Sequence, residues 1–135
     1  WFELRPPDNT FKSHIDTTLA SSWGNVEWHG DALKLQVNTG WVSFKQVNFG
    51  EPGQISVMRV RYSKPSGWGG LSARLGSKDA TELVYHQLLV TGSWDEFVEV
   101  DLPIDVDGVH DLFFTAHRSS GTHKMVAIDS FELLA

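Results

Sequence analysis

The feature that most constrains this chain is a hydrophobic alternation of period two, interrupted every few residues by turn-forming clusters. Leu33, Leu35 and Val37 alternate with Lys34 and Gln36, Met58, Val60 and Tyr62 with Arg59 and Arg61, and Leu112, Phe114 and Ala116 with Phe113 and Thr115. Val98, Val100 and Leu102 repeat the pattern around Glu99 and Asp101. Because successive side chains of a strand point to opposite faces, each run reads as a half-buried strand. Between the runs stand clusters at Asn38, Gly50, Ser63, Gly76, Thr91, Asp105 and His117, rich in the Gly, Pro, Asn, Asp and Ser that reverse a chain. About nine strands at this spacing predict an all-β fold, a β-sandwich jelly roll of two antiparallel sheets. The stretch from Pro6 to Asn25 lacks alternation and reads as a long loop crossing between sheets, with a short strand around Phe11 to Ile15.

A chain of 135 residues fits one domain, residues 1–135, able to bury roughly two thirds of its unfolded surface. It carries 11 basic and 17 acidic residues, a formal charge of −6. That balance argues against nucleic-acid or anionic-membrane partners, which need a basic footprint, and leaves neutral partners such as sugars unaffected. The absence of cysteine excludes a disulfide framework and a thiolate metal site. No apolar run approaches the roughly 20 residues of a membrane span. A chain opening on Trp1 without Met reads as a piece excised from a longer, multidomain enzyme.

Five stretches in order carry a resemblance: NTGWVSFKQVNF, RVRYSKPSGWGGLSARLGS, VTGSWDEF, VDGVHDLFFTAH and AIDSFELL. Together they are similar, from about Asn38 to Leu134, to the landmarks of family 6 carbohydrate-binding modules. The resemblance implies a jelly roll that binds a polysaccharide or oligosaccharide without cleaving it. The expected ligand is a β-linked glucan, xylan or galactan. It also implies a module that is secreted or at the cell surface, monomeric, and partnered by the catalytic module of its parent chain, a glycoside hydrolase.

Trp94 stands in the Thr-Gly-Ser turn and matches the family's loop tryptophan, which stacks on a sugar ring. The axial C–H groups of a pyranose form an apolar face that a fixed indole can cover while polar neighbours bond the hydroxyls. The family's second stacking aromatic falls on Leu35, and its ligand-binding asparagine on Ala127. Candidates to compensate are Trp68 on the SGWGG turn, Asn38 in the NTG turn, and His117, Arg118 and His123 around HRSSGTH. Some members bind along the concave face of one sheet through the residue that is Trp41 here. As a strand residue, Trp41 is expected to contribute mainly to packing, and Trp94 mainly to binding. Trp23 and Trp28 read as core or edge covers.

The resemblance further implies a structural calcium held by two first-strand glutamates and a closing aspartate. Asp129 is in place and Glu3 matches one glutamate, but Arg5 stands where the second would be. A guanidinium there would neutralise both carboxylates without a metal. Two alternatives compete with the binding module. A structural β-sandwich packing on a neighbouring domain would bury Trp94 and Trp68 in the interface. A small jelly-roll enzyme would need a carboxylate pair, such as Asp95 with Glu96 or Asp79 with Glu82, or clustered histidines, whereas His86, His110, His117 and His123 are scattered.

Overall fold

The computed structural model describes residues 14–117 and 123–135. Among the described residues eleven strands follow in order: β1 His14–Asp16, β2 Ser22–Gly24, β3 Val26–His29, β4 Ala32–Gln36, β5 Trp41–Asn48, β6 Val57–Ser63, β7 Gly70–Leu75, β8 Glu82–Gln87, β9 Val98–Pro103, β10 Val109–His117 and β11 Lys124–Leu134. One short 3-10 turn, Thr17–Leu19, separates β1 from β2 and is capped by the Asp16 carboxylate, which accepts from the Thr18 amide. Two antiparallel sheets stack as a jelly-roll sandwich. The first runs β3-β4-β11-β6-β9 with β1 added on β11, and the second runs β2-β5-β10-β7-β8. The long β11 pairs with β4 through Lys124 to Ile128 and with β1 through Ser130 to Glu132.

The alternating residues fill the space between the sheets. Leu33, Leu35, Met58, Val60, Tyr62, Leu112, Phe114 and Ala116 are all buried. Phe44, Phe114 and Phe131 meet at its centre with centroids 5.0 to 6.2 Å apart and ring planes 68° to 78° to one another. This edge-to-face packing lets the positive rim of one ring meet the negative face of the next. Burial of each such side chain stabilises the fold by about 1.5–3 kcal/mol.

The segment before Asn25 departs from the expected long loop. Its described part holds β1, the 3-10 turn and β2, and β2 and β3 are separated by Asn25 alone, whose φ of +51° turns the chain from one sheet to the other. Strands of three and four residues are too short to display a period of two. Trp23 and Trp28, on the edge strands of opposite sheets, meet edge to face with centroids 5.5 Å apart and close that side of the core. Each partners a core residue, Val42 and Leu33 respectively. They are edge covers, still half exposed.

Candidate functional site

Two tryptophans end up in contrasting surroundings. Trp94 lies in the connection from β8 to β9, which is tied down at Thr91: its amide donates to the Lys64 carbonyl at 2.7 Å, and its hydroxyl accepts from the Lys64 amide at 3.0 Å. The Asp95 amide bonds the Ser93 hydroxyl at 3.0 Å. The indole, only partly buried, then meets side chains from β3 and β4. Lys34 Nζ sits 4.6 Å from the ring centroid, the His29 ring lies 6.5 Å away, and His29 Nε2 donates to Asp95 Oδ1 at 2.7 Å. Lys34 faces Ala127 across the β4–β11 pair. Leu35 is wholly buried in the core and offers no surface to a ligand, so it is removed from the candidate site. Inward-pointing residues of β4 cannot reach Trp94, and outward-pointing Lys34 does.

Trp68 is the most exposed of the large hydrophobics on this rim that bear a ring, at 72%. Its turn is held from beneath by Lys64, whose fully buried side chain donates to the Ser66 and Gly67 carbonyls at 3.0 and 2.5 Å. Burial lowers the Lys64 pKa below the ordinary lysine value. Lys64 thus joins both rim loops, one through its main chain and one through its ammonium. Arg118 lies outside the described residues; His123 is exposed, and its carbonyl accepts from the Val37 amide.

Trp41 occupies the outer face of the second sheet. Strand register places Gly24, Trp41, Thr115, Ser72 and Tyr85 in one row across β2, β5, β10, β7 and β8. The next row is Ser22, Ser43, Phe113, Arg74 and Glu82. Trp41 packs on Phe113 at 5.9 Å and lies over Gly24, where an added Cβ would come within 2.4 Å of Trp41 Nε1. A glycine at the sheet edge therefore lets the indole lie flat. Sequence reasoning passed over Gly24 because it falls in the stretch read as a long loop, where a glycine is unremarkable; only the close approach of a distant side chain explains it.

Beside Trp41 is a cavity of about 260 Å³, lined by Asn25, Asn38, Thr39, Gly40, Trp41, Lys78, Asp79, Thr115 and His117. Asn38, with φ of +64°, is fixed by its amide bonding the Ala116 carbonyl at 2.8 Å. His117 Nε2 accepts from Arg74 Nη2 at 3.1 Å, while Arg74 Nε donates to Thr115 Oγ1 at 3.2 Å and Nη1 to the Ala80 carbonyl. The cavity thus sets an aromatic wall beside amide, hydroxyl and charged groups. A second cavity of about 350 Å³ is lined by Tyr62, Leu89, Val90, Val98 and Val100 together with His86, Gln87 and Glu99, and the Tyr62 hydroxyl is already bonded to the Leu89 carbonyl.

Three of the four carboxylates proposed for catalysis have other partners. Glu82 accepts from Ser72 and Arg74, Asp79 pairs with Lys78, and Asp95 with His29. For calcium, the Asp129 carboxylate faces Arg61 at 3.4 Å. The buried Thr17 hydroxyl lies against the Asp31 and Asp129 carbonyls. Glu3 and Arg5 lie outside the described residues. Of the residues expected to hold calcium, Asp129 alone falls among the described residues, and a carboxylate with neighbouring main-chain carbonyls is the kind of oxygen donor such a cation takes.

The family model of carbohydrate binding module (family 6) matches residues 11–135. Among solved structures, the chain is similar to a β-1,3-glucan binding family 6 module from Bacillus halodurans at 20% identity and TM-score 0.81, covering 90% of this chain and 95% of that one. A family 6 module from Clostridium cellulolyticum in complex with xylose aligns at 19% identity and TM-score 0.80, covering 91% and 97%. It also matches part of a glycoside hydrolase family 43 arabinoxylan arabinofuranohydrolase from Bacillus subtilis, at 17% identity and TM-score 0.75, covering 90% of this chain and 26% of that one. No match is found among curated proteins. With the family's landmarks in sequence and its sandwich in space, the chain belongs to family 6 of the carbohydrate-binding modules, a non-catalytic family.

Proposed function

We propose that the module binds a neutral β-linked polysaccharide at Trp41 on the outer face of the second sheet, and so holds an attached glycoside hydrolase at its substrate outside the cell. The observation that carries this reading is the cavity beside Trp41, where an indole wall meets Asn38, Thr115, His117 and Asp79. A pyranose stacked on Trp41 would hide its apolar face while its hydroxyls bond the side chains of Asn38 and Asp79. The acidic balance of the chain suits an uncharged ligand. Relatives that bind glucan and xylose support the ligand class, and the hydrolase that contains a similar module supports the targeting role.

A second contact on the loop rim is favoured by one observation, the exposure of Trp68 on a turn anchored by Lys64. Affinity electrophoresis against β-1,3-glucan, xylan and galactan tests both. Retardation abolished by Trp41→Ala supports the sheet-face site. Retardation that survives Trp41→Ala and disappears in Trp68→Ala or Trp94→Ala moves binding to the rim.

A further inference from the structure

The outer face of the second sheet would, if open, offer a track from Trp41 on β5 to Tyr85 on β8. Three interstrand gaps of about 4.8 Å make it roughly 14 Å long, enough for several sugar rings. The centre of that track is covered. Ser72 and Thr115, the two residues between the aromatics, are 0% and 4% exposed. Arg74 lies over them: its guanidinium spans from Glu82 to Thr115 and His117, and also holds the Ala80 carbonyl. The connection from β7 to β8 is thereby drawn back across the sheet. Lys78 and Asp79, at its tip, line the same cavity as Trp41 and His117, although β7 ends with Leu75 at the opposite end of the strand from the Gly70–His117 pairing.

Resting on the assignment of binding to Trp41, we infer that this arginine-pinned loop converts a sheet groove into a pocket for a single chain-terminal sugar. A cavity of about 260 Å³ falls below the roughly 300–1,000 Å³ of sites that enclose drug-sized ligands. One ring fits against Trp41, and the remainder of the chain must leave the protein, because the continuation across the sheet is occupied. Arg74 is a positioning residue in this arrangement, acting through the loop it holds. Lys78 and Asp79 close the pocket against chain interiors.

Titration calorimetry with laminari-, cello- and xylo-oligosaccharides of increasing length reads this directly. The native protein should reach its full affinity by the disaccharide and then stay flat within about a factor of two. At fixed mass, partial hydrolysis of the bound polysaccharide should raise binding in step with its chain ends. Arg74→Gln, or replacement of residues 77–80 by two glycines where the arginine variant does not fold, should turn the flat profile into a rising one. Affinity that climbs with every added sugar in the native protein, while still depending on Trp41, overturns terminal recognition and leaves the site in place. Binding to none of these probes, or binding indifferent to Trp41→Ala, overturns the site and the terminal recognition together.

Discussion

Trp94 and Trp41 present the same side chain in two ways. The loop tryptophan is flanked by glycine and serine and then by acids, a setting that favours exposure, yet its indole lies beneath Lys34 and beside His29. The strand tryptophan stands in a run that favours packing, yet it lies across Gly24 and borders an open cavity. An aromatic acts as a platform only when its backing is fixed and its other side is free. Phe113 and Gly24 provide fixed backing for Trp41. At Trp94 a sugar would first have to displace an ammonium held by a cation–π contact of about 0.5–1 kcal/mol at an exposed site.

This contrast can be broken experimentally. The largest expected effect is that of Trp41→Ala, which should lose about 1–3 kcal/mol of glycan binding, roughly 5- to 150-fold, measured by calorimetry. Gly24→Ala comes next: its methyl would occupy the space of the Trp41 indole, so affinity should fall about tenfold while the sandwich stays folded by circular dichroism. Unchanged affinity would mean that the indole position is irrelevant to binding. Trp94→Ala should weaken binding by less than about threefold, since its ring is already engaged; a loss matching that of Trp41→Ala would reverse the assignment of the two sites.

The smallest effect concerns the joint beneath the rim. Lys64 has its pKa lowered by burial, so between that lowered value and the ordinary 10.5 the unfolded chain holds more protons than the folded one. Stability should therefore rise as pH climbs from neutrality toward 10.5, relative to Lys64→Met, which carries no titrating group. Thermal unfolding at stepped pH checks this; parallel curves would show that the buried ammonium contributes nothing that titrates.

Much of the fold was legible because alternation is a local property. Leu33, Leu35, Phe114 and Leu112 declared their burial through neighbours two positions away, and the turn clusters marked where strands end. The short β2 and β3 were not legible, since three or four residues with a single Asn25 between them carry too little period to read. The family was legible in the order of five stretches, and with it the sugar-binding role. The alternation that declared Leu35 buried already turned it away from any ligand, so its place in the candidate site came from the resemblance alone and conflicted with its own pattern.

What the sequence determined by itself is therefore the class of fold, the membership of much of the core and the family, all of which follow from periodicity and from landmarks close together along the chain. What each tryptophan meets was decided by tertiary structure. Coverage of a side chain depends on residues distant in sequence: His29 reaches Asp95 over 66 positions, and Arg74 reaches His117 over 43. Folding brings these partners together through the stacking and register of two sheets, and no local pattern records which indole they will meet.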